Sequence, residues 1–325
     1  MTWLTWRQHR AEMYALGLLV AAIGAFLLAV GLQMHSLFPG GAGQCTGIDL
    51  TEACSTAIRR LNDEHGYASK MLNLFSLVPF LIGAFFGAPL VARELEAGTW
   101  QFAWTQSVPR MRWLAVKLGA LGFATALLAG VFSAVITWYR QPMDVLDGRF
   151  GADAFDLEGL APAGYALFAF AAATAAGAVL RRSLPALAVA LGAFLAVRVL
   201  VAGWLRPNYQ DTQRLVELVA VGDPADVGNP RMSTGNHLDW TIASGYTDSA
   251  GRPLSLYDSA AMYSAAEKEG VKFSAYLHER GVQQWVEFQP AERFWTFQLV
   301  ETTIFAGLAA ALLALVVWRF RRRVF

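Results

Sequence analysis

Arg198 and Glu301 are the only charged residues left inside the long apolar runs of this chain. Ionisable groups at such positions are where ion pathways and proton relays are built. Little else in the sequence has reactive potential. No G-x-x-x-x-G-K-[S/T] segment occurs, so the chain lacks the loop that cradles nucleotide phosphates. The five histidines, His9, His35, His65, His237 and His278, show no H-E-x-x-H spacing and the cysteines no C-x-x-C. His278-Glu279 belongs to a solvated helix face, so no metal site and no catalytic residue are expected. Cys45 and Cys54 are the only cysteines. Charge is concentrated in Arg93-Glu94-Leu95-Glu96-Ala97-Gly98-Thr99-Trp100, a stretch that continues through Thr105-Gln106-Ser107-Val108-Pro109-Arg110 to Lys117.

The elements that must position these residues are membrane helices. With 325 residues, 55% hydrophobic and 16% charged, the chain is too apolar for an ordinary soluble domain. Residues 71–92 and 118–139 flank the charged stretch, and each run holds no charge. At ~1.5 Å per residue either run crosses a ~30 Å hydrocarbon core. The pattern predicts an all-α polytopic membrane protein with spans at about 14–34, 71–92, 118–139, 159–180, 183–205 and 294–318 of a single domain, 1–325. The run from Tyr14 to Met34 is too long for a cleavable signal core and is expected to be retained. Before it, Trp3, Trp6, Arg10 and Met13 recur at helical spacing, which predicts a helix in the membrane interface or a tail anchored by tryptophans. Residues 140–158 form a short polar segment with five acids and two arginines. Residues 206–293 are the soluble-looking part. There a hairpin is predicted around Thr247-Asp248-Ser249-Ala250-Gly251-Arg252-Pro253, followed by helices from Asp258 to Glu269 and Phe273 to Glu279.

Basic residues choose the orientation. With both termini cytoplasmic, the inner segments carry twelve Lys/Arg against three acids, and the outer ones thirteen against twenty-one over a far longer chain. Cys45 and Cys54 then share an outer loop in an oxidising compartment, where a disulfide is expected. Arg198 and Glu301 each fall ~10 Å below the outer surface at ~1.5 Å per residue, which predicts an intramembrane ion pair or shared polar network between spans five and six.

The charged stretch, R-E-x-E-x-G-T followed by T-x-S-x-x-R and a Lys entering the next span, resembles the membrane subunits of ABC type-2 transporters. Ala103-Trp104-Thr105-Gln106-Ser107-Val108, Arg112-Trp113-Leu114-Ala115-Val116-Lys117 and Gln289-Pro290-Ala291-Glu292-Arg293-Phe294-Trp295 look like a subgroup from high-GC Gram-positive bacteria. The chain departs from many members at Gln101, where they carry an acid. The resemblance implies an exporter permease in a bacterial cytoplasmic membrane, paired with a second permease subunit, either another copy or a homologue. It also implies a cytoplasmic coupling helix carrying Arg93, Glu94, Leu95, Glu96, Gly98, Thr99 and Phe102, docked on a separate ATPase subunit that holds the ATP and Mg²⁺. No cofactor is expected on this chain, and lipid rather than nucleic acid is its other partner. The implied cargo is hydrophobic or amphipathic, such as a drug, antibiotic or lipid. A different class, a membrane sensor or scaffold whose 206–293 segment binds an extracellular ligand, is the other reading of the same layout.

Overall fold

A computed structural model describes residues 2–45, 51–96, 110–222, 225–230, 232, 234, 236 and 238–322. Its helices are α1 (Thr2–Ser36), α2 (Glu52–His65), α3 (Ala68–Leu72), α4 (Val78–Glu96), α5 (Arg110–Arg140), the one-turn α6 (Asp144–Asp147) and α7 (Ala152–Phe155), α8 (Ala161–Leu180), α9 (Ser183–Leu200), α10 (Leu256–Glu269), α11 (Phe273–Glu279) and α12 (Phe294–Arg322). The strands are β1 (Gln213–Leu218), β2 (Ala225–Asp226), β3 (Asn229–Pro230), β4 (Trp240–Thr247) and β5 (Gln283–Gln289). Among the described residues, six helical stretches are long and apolar enough to cross a membrane, so the architecture is mostly helical as expected. With six crossings, both chain termini lie at one end of the bundle, the terminal end, and residues 206–293 lie at the opposite, distal end.

α8 is the axis. Most of its residues are buried, and α4, α5, α9 and α12 all pack against it. Lipid supplies no hydrophobic drive between helices, so close backbone packing must hold them together. The sequence provides it through Gly83 and Gly87 on α4. A Cβ on Gly83 would sit 2.1 Å from the Ala166 carbonyl oxygen, and one on Gly87 2.3 Å from that of Phe170. Further along, Gly177 of α8 faces Ala88 and Ala92 of α4.

Several boundaries differ from the sequence-based expectation. The first helix runs unbroken from Thr2 to Ser36, so residues 2–13 prolong span one rather than forming a separate interface helix. Span two begins at Lys70, close to the expected residue 71, but it is not one continuous α-helix: α3 and a 3₁₀ turn (Asn73–Phe75) precede α4, whose second residue is Pro79. Proline favours the first turn, where its missing N–H leaves no bond unmade. Cys45 and Cys54 form a disulfide, tying the 3₁₀ turn Ala42–Cys45 to the start of α2.

The distal segment departs from an all-α description. β5 is the middle strand of a three-stranded antiparallel sheet in the order β1-β5-β4. The turn expected at 247–253 is present, with Thr247 bridged to Pro253, but the main partner of β4 is β5 and not residues 254–256. Gln284, Val286 and Phe288 alternate on the buried face of β5, a period that suits a half-buried strand. α10 and α11 form where expected, α10 opened by a Ser255–Asp258 capping box and closed by Gly270 at φ 67°.

The α4–α8 contact can be tested directly. Gly83→Val or Gly87→Val should destabilise the protein by at least ~1–3 kcal/mol, the usual range for overpacking. Gly119→Val, where a Cβ meets nothing within 4 Å, should be near neutral. Thermal melts in detergent read the difference.

Candidate functional site: buried charges at the distal end

The polar segment between α5 and α8 is folded into the bundle instead of lying in solvent. Gln298 of α12 holds it: its Oε1 accepts from the backbone N–H groups of Leu160 (3.0 Å) and Ala161 (2.8 Å), and its Nε2 donates to the Phe155 carbonyl (2.9 Å). This side chain from another helix satisfies donors at the start of α8 that a local cap would ordinarily take. Gly159, at φ 66°, lets the Gln298 amide approach, since a Cβ there would lie 2.9 Å from its Oε1. From α5, Ser133 Oγ donates to the Gly159 carbonyl at 2.7 Å.

Two charge clusters result. In the first, Arg140 at the end of α5 is fully buried; its Nε lies 2.7 Å from Glu158 Oε1 and its Nη2 donates to the Gly148 carbonyl at 3.1 Å. Arg149 reaches Glu158 Oε2 at 3.2 Å and Asp144 Oδ2 at 3.4 Å, with its guanidinium 3.8 Å from the centre of the Phe294 ring. Asp144 and Glu158 thus share the same two arginines, Arg140 and Arg149. Burial pushes the Asp144 carboxyl up to about 8, and the neighbouring Glu158 charge adds to this against the opposing pull of Arg140 and Arg149. Burial also raises Glu158, with the same two arginines opposing. Asp144 therefore keeps its proton up to about pH 8.

The second cluster closes on Arg206. Its Nε donates to Glu301 Oε2 at 2.9 Å and its Nη2 to Glu301 Oε1 at 2.7 Å, a bidentate pair that is fully desolvated. The same Nη2 bonds Asp156 Oδ1. Tyr165 of α8 bonds Glu301 through its hydroxyl, and Tyr209 donates to Glu301 Oε2 at 3.1 Å. Arg198 donates to Asp156 Oδ2 (2.8 Å) and to the Ser76 carbonyl (2.7 Å). Burial works against the Asp156 charge, but Arg206 and Arg198 overcome it and hold its carboxyl below the ordinary range. Burial raises the Tyr209 hydroxyl, helped by Glu301, so it stays a donor.

The direct Arg198–Glu301 pair suggested by depth is thus corrected. Both belong to one network, but Asp156 takes Arg198 and Arg206 takes Glu301. Helix geometry supplies the reason. After Leu200 the chain makes a π turn (Val201–Leu205), whose larger number of residues per turn changes the register. An unbroken α-helix would place Arg198 and Arg206 about 80° apart, eight residues at 100° each. The π turn rotates Arg206 inward beside Arg198. Asp156, Glu158 and Arg206 escape the sequence reading as network members because segment 140–158 and Arg206 read as outer surface, and Tyr165 because it lies within an apolar span. The available signal was local: Phe150, Phe155 and Leu157, all buried, surround the acids as closely as in a core.

At the terminal end, Arg93 to Glu96 form the last turn of α4, and Glu96 Oε2 accepts from Ser183 Oγ at 3.2 Å. Gly98, Thr99 and Phe102, and the segment 103–108, lie outside the described residues. Lys117 is buried in α5 with its ammonium 4.5 Å from the centre of the Trp113 ring.

Six membrane-length helices among the described residues, with buried ion pairs linking α5, the 144–158 segment, α9 and α12 at the distal end and a small mixed domain between the last two, define a multi-pass membrane protein. A protein-family model described as ABC-2 membrane transporter related matches residues 17–206, more than half of the chain, and the chain belongs to that family. Comparison with curated proteins and with solved structures gave no match.

Two measurements probe the clusters. Arg206→Met leaves two buried carboxylates without their main partner and should destabilise the protein by ~3–5 kcal/mol. In double-mutant cycles scored by thermal melting, Arg206–Glu301 should couple by more than about 1 kcal/mol and Arg198–Glu301 by less, so the Arg198→Glu, Glu301→Arg swap should recover nothing. The second measurement follows from the folded state holding on Asp144 a proton that the unfolded chain releases. Stability should therefore fall as pH rises from about 4 toward about 8, by ~1 kcal/mol or more. Asp144→Asn, which keeps the size of the side chain but cannot titrate, should flatten that dependence.

Proposed function

We propose that this chain is the membrane-spanning permease subunit of an ATP-driven exporter in a bacterial cytoplasmic membrane, with ATP and Mg²⁺ held by a separate ABC ATPase. The observation that carries the reading is the family match across residues 17–206, which takes in the charged segment between α4 and α5. ABC-2 permeases are typically non-catalytic subunits partnered with an ABC ATPase. Segments at the terminal end carry twelve Lys/Arg against three acids, which supports placing that end in the cytoplasm. The ATPase then docks on the segment from Arg93 to Phe102, the coupling helix that the resemblance implies, and two permease subunits, identical or homologous, form the translocation path between them. The motifs at 103–108 and 112–117 support membership of a subgroup from high-GC Gram-positive bacteria. Between Lys117 and the distal network the spans carry no ionisable side chain, which favours a hydrophobic or amphipathic cargo over a charged solute.

Reconstitution with the co-purified ATPase tests this. Substituting Glu94→Ala together with Gly98→Leu should lower cargo-stimulated ATP hydrolysis about tenfold or more, equivalent to ~1.4 kcal/mol of docking energy, while membrane insertion is retained. Unchanged stimulation would remove the docking assignment, and a chain that captures no ATPase would remove the permease reading.

A further inference from the structure

A groove of about 620 Å³ opens on the side of the bundle between α8, α9 and α12. Phe168, Ala172, Ala176, Val189, Leu312 and Leu315 are among its lining residues. Its walls are almost wholly apolar. On α8 it extends from Phe168 to Leu180, twelve residues or ~18 Å at ~1.5 Å per residue. Half of a ~30 Å hydrocarbon core is ~15 Å, so the groove spans the depth of one leaflet and stops there. It is not a path through the membrane.

Its terminal end is charged. Trp318 and Arg319 close the groove, and Arg319 Nε is buried with no hydrogen-bond partner among the described residues. Arg181 and Arg182 follow Leu180 directly, and Arg321 and Arg322 continue α12, with the Arg322 guanidinium 4.8 Å from the centre of the Trp318 ring. An aromatic ring and arginines at the mouth of an apolar slot suit the membrane–water boundary.

We propose that this groove holds one acyl chain of an anionic phospholipid from the surrounding bilayer, with its phosphate bound by Arg319. The apolar walls match the chain, the groove length matches a single leaflet, and the unpartnered guanidinium nitrogen matches a phosphate oxygen. Charge selects this occupant over a second copy of the protein, which would bring its own arginines against these. Val179, Leu180, Val189, Leu315 and Trp318 are all exposed along the groove, the surface a lipid contact requires. The proposal needs only that the helices cross a bilayer. Its test uses no ATPase, so its failure would leave the permease reading standing.

The full-length chain, purified in neutral detergent and stripped of lipid, is titrated with phosphatidylglycerol or chain-matched phosphatidylcholine, and bound lipid is counted by native mass spectrometry. One phosphatidylglycerol per chain should be retained with about tenfold higher affinity than phosphatidylcholine, and Arg319→Gln should remove that preference. Ala176→Phe, which fills the groove without altering charge, should weaken both lipids; Ala193→Phe, from the α9 wall, serves if the first variant fails to fold. Equal binding of the two lipids, or an unaffected Arg319→Gln variant, overturns the proposal. So does disulfide cross-linking between chains carrying Val189→Cys or Leu315→Cys in native membranes, which would assign the groove to a second copy. Both native cysteines are already bonded to each other, so such cross-links are unambiguous.

Discussion

Buried charge in this protein has to be neutralised within the bundle, and the distal half of the fold is arranged to do so. Arg140, Arg149, Arg198 and Arg206 meet Asp144, Asp156, Glu158 and Glu301 in two adjoining clusters. An isolated guanidinium or carboxylate at these sites would be expensive in lipid or protein interior, and pairing is the available remedy. That requirement explains why a hydrophilic segment, 140–158, is drawn inward. It also explains why the start of α8 is capped by Gln298 of a distant helix, since the acids of this segment can reach their partners only if the chain enters α8 from inside the bundle. The proton on Asp144 belongs to the same accounting. Burial, helped by the neighbouring Glu158 charge, outweighs the two arginines that these carboxylates share and keeps Asp144 protonated.

The same clusters join the bundle to the distal domain. Arg206 lies just past the π turn that follows α9 and Glu301 in the distal part of α12, so their bidentate pair fixes the two lengths of chain that enclose residues 207–293. Aromatic packing extends the joint. Phe150 stacks on Trp240 of β4 at 5.4 Å and meets Phe294 and Phe297 edge-on. Gln289, at the end of β5, donates to the Gln210 carbonyl and accepts from Arg293. The sheet is thereby fixed to the flanking chain by contacts at its central strand, β5, and its edge strand, β4.

Hydropathy made the six spans legible, because the need for about twenty apolar residues per crossing leaves few alternatives. It also made Arg198 and Glu301 visible as exceptions. It could not say whom they pair with, because pairing depends on helix rotation, and a single π turn after Leu200 changes that rotation without a compositional signature. The fate of 140–158 was hidden for a related reason. Its charge density reads as solvent, and only the three-dimensional partners Arg198, Arg206 and Gln298, all remote in sequence, reverse that assignment. The sheet illustrates the limit for strands. Turn signals near residue 250 are local and correctly mark a turn, whereas the β4–β5 pairing spans some forty residues and is decided by which faces need burying.

Helices α4 and α8 run parallel, and their contact links the two ends of the molecule. Gly83 and Gly87 place the α4 backbone against the carbonyls of Ala166 and Phe170, and near the terminal end Gly177 receives Ala88 and Ala92. No long side chain lies between the two backbones at these points to absorb a displacement. α4 ends in Arg93–Glu96, where Glu96 is also bonded to Ser183 at the start of α9, and α8 begins beside the Asp156 and Glu301 network. A force applied at the charged end of α4 is therefore borne by two helices as one body and reaches the distal end at the residues that hold α9 and α12 together. An interdigitated leucine interface would dissipate such a force in rotamer changes. Bare backbone contact has no rotamers to change, and this is a physical reason for small residues along the axis of the bundle.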